Sequence, residues 1–252
     1  MSSIHRIRLL DYSRSLAVLA MIFYHFVFDL GHFEYVDVRT VTNGYWKLFA
    51  QSIGSSFLFL SGFSFWIMVR AELNWLRFVK RLLILILASI LISIVTRIQL
   101  NDEFVFFGIL HLMVACAILG LLIYRLPVFL LLGLAVVLLL FREYFFISTF
   151  YNAQTFEPKY LSWTGLFNGR TGSADFYGFM PWSSAFVLGL SLAKIIAKNP
   201  RSTSVSPLIF KEERPSYLVV FILWIGRNSL LVYLIHQPIL FALFISYDKV
   251  LG

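Results

Sequence analysis

Apolar runs long enough to cross a bilayer recur along the chain at roughly 11–31, 48–69, 78–98, 104–124, 126–146, 176–196 and 228–247. Each approaches the ~20 residues that a spanning helix needs, so the pattern predicts seven transmembrane helices. A further apolar piece, 217–225, is too short to cross alone and is separated from the last run by Gly226-Arg227-Asn228-Ser229. It is expected as a short interfacial or re-entrant segment, with Asn228 or Ser229 capping the final helix. Pro181-Trp182 and Gln237-Pro238 interrupt two of the runs and free backbone groups there. Gly54-Ser55-Ser56 and Ser61-Gly62 offer small side chains for close helix approach. No internal repeat is visible. The fold expected is an all-α polytopic membrane protein, one transmembrane domain over 1–252, with about seven helices around a central polar cavity.

The first run, LDYSRSLAVLAMIFYHFVFDL at 10–30, departs from the others because it carries two acids, an arginine and a histidine. With about 100° per residue and Asp11 set at zero, Arg14 falls near about 300°, His25 near about 320° and Asp29 back near zero. Every ionisable group of the segment therefore shares one stripe about 60° wide and roughly 27 Å long. Such groups cost a few kcal/mol each in lipid, and they normally face a bundle interior or a water-filled cavity. The other helices are expected to wrap this face.

Composition agrees with the hydropathy pattern. The 252 residues are 60% hydrophobic and 13% charged, more apolar than a soluble domain of this size requires. The lone cysteine, Cys116, sits in an apolar run, makes no intrachain disulfide and reads as packing. Asp11 and Arg14 interrupt the first run and no small-residue cleavage site follows it, which argues against a removed signal peptide. The net charge of +8 could point to nucleic acid or acidic lipid, but its distribution fits orientation in the bilayer. Alternate loops collect thirteen basic residues on one side (Arg6, Arg8, Arg14, Arg70, Arg77, Lys80, Arg81, Arg125, Lys194, Lys198, Arg201, Lys211, Arg214) and seven on the other (Arg39, Lys47, Arg97, Arg142, Lys159, Arg170, Lys249). The positive-inside rule then puts the N-terminus in the cytoplasm and the C-terminus outside. The loop at 142–175 is the longest outside segment, and its aromatic content marks it as functional.

Three histidines, His25, His111 and His236, fall well inside predicted spans, where each must find a partner and a structural role competes with a functional one. His25 stands out because Asp29 follows one turn later, and a carboxylate there can orient an imidazole acting as a general base. Arg14, paired with Asp11 at i−3, could be an interface anchor, and Arg77, Lys80 and Arg81 a topology signal. Together with Arg227 they could instead hold the phosphates of an anionic cofactor whose arm runs towards His25. There is no phosphate-binding glycine loop, no metal-ligand spacing and no nucleophile elbow.

Several ordered stretches resemble a known family. Leu10-Asp11-Tyr12-Ser13-Arg14, followed by His25-Phe26-Val27-Phe28-Asp29-Leu30, is similar to the first helix of bacterial relatives of heparan-α-glucosaminide N-acetyltransferase, within the wider transmembrane acyltransferase group. Phe57 to Gly62, Phe107-Gly108-Ile109-Leu110-His111, Asp175-Phe176, Met180-Pro181-Trp182 with Gly189, and Gly226 to Leu230 leading to Tyr233 to Pro238 agree in order. The resemblance covers essentially the whole chain. It implies transfer of an acyl group, usually acetyl, from cytosolic acyl-CoA to a sugar amine or hydroxyl on the opposite face, with His25 matching the catalytic base. Ser15 departs from the family's usual glycine after the arginine, and the extra helices and lumenal domain of the animal enzyme are missing.

The reading that follows is a membrane acyltransferase of the bacterial inner membrane with acetyl-CoA as donor and no metal. His25 and Asp29 are the expected catalytic pair. Arg14, Asp11, Arg77, Lys80, Arg81 and Arg227 are expected to bind CoA, and His111, Asp175, Trp182, Asn228, His236 and Gln237 to serve the acceptor, the thioester or the oxyanion. Direct transfer and an acyl-histidine intermediate are both chemically available. Expected partners are acyl-CoA, a sugar or glycan acceptor and the lipid bilayer, with no nucleic acid, and a homodimer is left open. The rival is a proton-linked small-molecule transporter, since histidine and carboxylates along an intramembrane stripe also describe a proton relay. An odd helix number without inverted halves weighs against it.

Overall fold

A computed structural model describes residues 8–71, 73–141, 159–166, 171–198 and 216–251, and among these all regular structure is helical. Five helices are long and apolar enough to span a bilayer, and three shorter apolar ones accompany them. This is a polytopic, all-α membrane protein. The chain divides into two compact units, one of residues 1–57 and 200–252, the other of residues 58–199. Arg6, Arg142, Arg170, Arg201, Lys211 and Arg214, and most of the loop at 142–175, lie outside the described residues.

In the first unit α1 (Arg8–His32) is the central element. Against it pack a one-turn α2 (Val38–Thr42), α8 (Tyr217–Arg227) and α9 (Ser229–Leu251), and the N-terminal part of α3 (Gly44–Ala71) shares its core. Val18, Met21, Ile53, Ile225 and Val232 form that core, with Phe49, Phe57, Tyr24 and Tyr233 around it. The stretch at 217–225 is a regular helix capped by Ser216, and its Leu223, Ile225 and Gly226 are buried. Gly226 permits that packing, because a Cβ there would overlap the Asp11 carbonyl. Ser15 uses the same contact: its hydroxyl sits 2.9 Å from the Asp11 carbonyl and 2.5 Å from that of Ile222, tying α1 to α8. Asn228 caps the end of α8, its Nδ2 donating to the Trp224 carbonyl at 2.9 Å, while its own carbonyl accepts Val232 N–H at 3.0 Å as α9 begins.

The second unit holds the rest of α3 with α4 (Trp75–Leu100), α5 (Ile109–Ile123), α6 (Val128–Leu140) and α7 (Phe179–Lys198). α3 and α7 meet through reciprocal glycines. A Cβ on Gly62 would strike the Phe186 carbonyl, and one on Gly189 the Phe59 carbonyl. The run at 104–124 becomes helical only from Ile109. Ala174 N–H donates to the Glu103 carbonyl at 2.8 Å, Ser173 Oγ to that of Phe104 at 3.0 Å and Tyr177 N–H to that of Phe107 at 3.1 Å, so the preceding residues pair with 173–177 instead of coiling. Pro181 likewise opens a helix where the sequence suggested an interruption: Met180 before it is extended (φ −98°, ψ 135°). Pro238 does lie inside α9, where it offers no N–H to the Leu234 carbonyl.

Lys194, counted above among topology-setting cations, has another use. It is buried, its Nζ donates to the carbonyls of Tyr124 (2.9 Å) and Leu126 (2.6 Å) at the end of α5, and it lies 4.8 Å from the centre of the Trp66 ring. A cation there satisfies carbonyls that a helix end leaves unpaired.

Candidate active site

The polar stripe of α1 is buried at its two acids, Asp11 (4% exposed) and Asp29 (0%), and half-buried at Arg14 and His25. Its two ends carry different chemistry. At the N-terminal end Asp11 receives two guanidinium groups, Arg227 Nε at 3.2 Å from Oδ2 and Arg14 Nη1 at 3.5 Å from Oδ1. One carboxylate thus gathers Arg14 and Arg227 and leaves a net positive patch. Arg77, Lys80 and Arg81 belong to the second unit, where they are exposed on the first turns of α4 behind the Asn74 cap.

At the other end α1 brings His25 and Asp29 to His236 and Gln237 of α9. The His25 and His236 rings lie 4.8 Å apart. Gln237 Nε2 donates to Asp29 Oδ1 at 2.8 Å, so the partner of Asp29 is Gln237, and the expected orienting bond from Asp29 to His25 is not formed. Among the described residues six buried side-chain polar atoms lack a hydrogen-bond partner, and four of them are here: His25 Nδ1, Asp29 Oδ2, His236 Nε2 and Gln237 Oε1. Buried polar atoms are normally satisfied, so such a concentration on two facing helices marks a place for chemistry or for a polar ligand.

The second unit accounts differently for His111 and Asp175. Gly108 stands at the N-cap of α5 and has no side chain to offer, so two other residues supply the bonds. Asp175 Oδ2 accepts Ile109 N–H at 3.2 Å, and His111 Nδ1 accepts Gly108 N–H at 3.3 Å. That leaves the His111 proton on Nε2, 3.2 Å from Ser93 Oγ, which passes its own proton to the Val105 carbonyl at 2.6 Å. Both nitrogens of His111 are therefore used in holding the start of α5. Burial pushes the Asp175 carboxyl up to about 6, against the pull of the Ile109 bond. Trp182 packs edge-on to Tyr177 at 4.9 Å. Among the described residues no group of three His, Cys, Asp or Glu is placed to hold a metal.

The model of the family described as heparan-alpha-glucosaminide N-acetyltransferase, catalytic, matches residues 6–238. The chain belongs to this family. The match takes in the Asp11–Arg14–Arg227 group, both histidines of the α1–α9 cluster and Gln237, and it runs through both compact units. Neither a curated protein nor a solved structure matches. The family is one of membrane acetyltransferases, and five apolar helices of spanning length agree with that setting. Sequence reasoning missed Ser93, Tyr233 and Lys194. Ser93 and Lys194 are separated in sequence from the groups they bond, and Tyr233 acts through its carbonyl, which no side-chain pattern reveals.

Proposed function

We propose that the chain, acting over 1–252 as one catalytic domain, transfers an acetyl group from cytosolic acetyl-CoA to an amine or hydroxyl of a sugar or glycan on the opposite face of the membrane. The observation that carries this reading is the buried cluster of unpartnered polar atoms on His25, Asp29, His236 and Gln237, in a chain whose family is acetyltransferases. His25 takes the proton of the attacking amine or hydroxyl, the nucleophile adds to the thioester carbonyl, and the C–S bond breaks. Asp29, held by Gln237, supplies the negative charge beside the imidazole that gains the proton. Arg14 and Arg227, gathered by Asp11, receive CoA phosphates in this reading, as do Arg77, Lys80 and Arg81 of α4. Asp175 and Trp182 are assigned to the acceptor, with Asp175 also capping α5, while His111 and Asn228 serve helix ends. The basic-residue distribution supports an N-terminus in the cytoplasm, and the setting proposed is a bacterial inner membrane. Purified protein in detergent, titrated with acetyl-CoA, tests the donor. The expected result is saturable binding with slow thioester hydrolysis; no CoA binding at millimolar concentration refutes the reading and favours a transporter.

A further inference from the structure

The unpartnered nitrogens of His25 and His236 carry an inference that rests on the acetyltransferase reading and deepens it. His236 Nδ1 lies 2.6 Å from the Tyr233 carbonyl oxygen. A carbonyl only accepts, so Nδ1 carries the proton, and in the neutral ring Nε2 is a bare lone pair. That lone pair is buried and has no hydrogen-bond partner among the described residues, and the His25 Nδ1 atom is likewise buried and unpartnered. The two rings are 4.8 Å apart at an angle of 59°. Next to His236 in sequence, Gln237 is bonded to Asp29, one turn beyond His25, which fixes the register between the two helices at this point.

We propose that His25 and His236 work as one proton-sharing pair, in which the Tyr233 carbonyl sets the His236 tautomer so that Nε2 remains free to share the proton taken from the acceptor. The step balances. The acceptor's N–H or O–H bond breaks as its N or O bonds to the acetyl carbon, the proton goes to the pair, the C–S bond breaks, and the pair returns the same proton to the CoA sulfur. His236 is thereby a positioning and proton-sharing partner of His25, a role distinct from packing. The ionisable groups around it are few. α1 brings His25 and, through Gln237, Asp29, near which His32 lies on the same helix, and it brings Tyr24, whose ring is 5.7 Å from that of His25; α9 itself brings Tyr233, whose ring is 5.8 Å from that of His236. Phe49, Ile53 and Phe57 of α3 and Ile225 of α8, in the core of the same unit, carry no charge. Two imidazolium rings in contact repel, so the pair holds one proton readily and a second only at much lower pH.

The test uses full-length protein in lipid nanodiscs, labelled with 15N-histidine, with His25→Gln and His236→Gln to assign signals among the five histidines. The expected spectrum shows His236 protonated on Nδ1 and bare on Nε2. The wild-type pair is expected to titrate in two steps about two pH units apart or more, and in either variant the remaining histidine titrates once, between the two steps, because it has lost both the partner that shares the first proton and the charge that repels the second. A His236 proton on Nε2, or a midpoint that ignores the other ring, overturns the proposal. Should a variant fail to fold, the wild-type tautomer and two-step titration decide alone. In turnover, His236→Gln is expected to lower kcat by about 10²- to 10⁴-fold with little change in acetyl-CoA affinity, and an unchanged kcat overturns the pairing. Wild-type protein that binds no acetyl-CoA would instead refute the acetyltransferase reading, and the spectra would still decide whether the two rings share a proton.

Discussion

At the scale of single residues, the same side-chain types serve two ends. His111 and His236 both looked like functional candidates, and the bonds each makes separate them: His111 has both nitrogens engaged, by Gly108 N–H and Ser93 Oγ, whereas His236 has one engaged and one bare. Asp175 caps α5 while carrying a carboxyl raised to about 6 from 3.8. For a carboxyl raised in the folded state, the stability it adds is full below the unfolded value and is lost as pH climbs from about 4 through about 6, a loss on the order of 3 kcal/mol. Asp175→Asn keeps an oxygen for Ile109 N–H and removes the ionisation. Its thermal unfolding in detergent is therefore expected to vary less between pH 4 and 7 than that of the wild type, and to exceed it at pH 7. A steeper pH dependence in the variant would contradict this account of Asp175. The α1 stripe itself was legible, because a 3.6-residue period fixes which side chains share a face. The partners of His111 and Asp29 were not, because they come from other helices and depend on packing that no local spacing encodes.

At the scale of elements, apolar run length located the helices and turn chemistry set their ends. The start of α5 at Ile109 was hidden because 104–107 is as apolar as a helix would be, and its backbone is taken up instead by bonds to 173–177 and, at Val105, to Ser93 and Thr96. Glycine positions carry the closest contacts. Gly62→Ala places a methyl group against the Phe186 backbone, which cannot retreat as a flexible side chain could. It is expected to destabilise by about 1–3 kcal/mol. Gly133, inside α6, has open space where its Cβ would stand, and Gly133→Ala is expected to be neutral or stabilising by up to about 1 kcal/mol. Unfolding temperatures of the two variants should move in opposite directions or leave Gly133→Ala unmoved, and an equal fall in both would show that the α3–α7 contact is not the cause.

At the scale of the whole molecule, the family is one of membrane acetyltransferases, and the proposed reaction takes donor and acceptor from opposite faces, so orientation is part of the proposed mechanism. With Cys116→Ser as background, Tyr45→Cys (91% exposed, at the start of α3) is expected to react with an impermeant thiol reagent on intact cells, while Tyr217→Cys (97% exposed, at the start of α8) is expected to be protected until the membrane is opened. The reverse labelling would invert the topology and place the arginines proposed to bind CoA on the wrong side.

The central claim is acetyl transfer through a buried histidine, and it is tested most directly by comparing wild type with His25→Ala. Purified proteins of equal fold would be given acetyl-CoA labelled in its acetyl group and a panel of sugar amines and alcohols, and transferred label measured alongside CoA affinity. Loss of about 10²- to 10⁴-fold in transfer, with CoA affinity within a few-fold of wild type, is the result predicted. Near-normal transfer by a well-folded His25→Ala would contradict it.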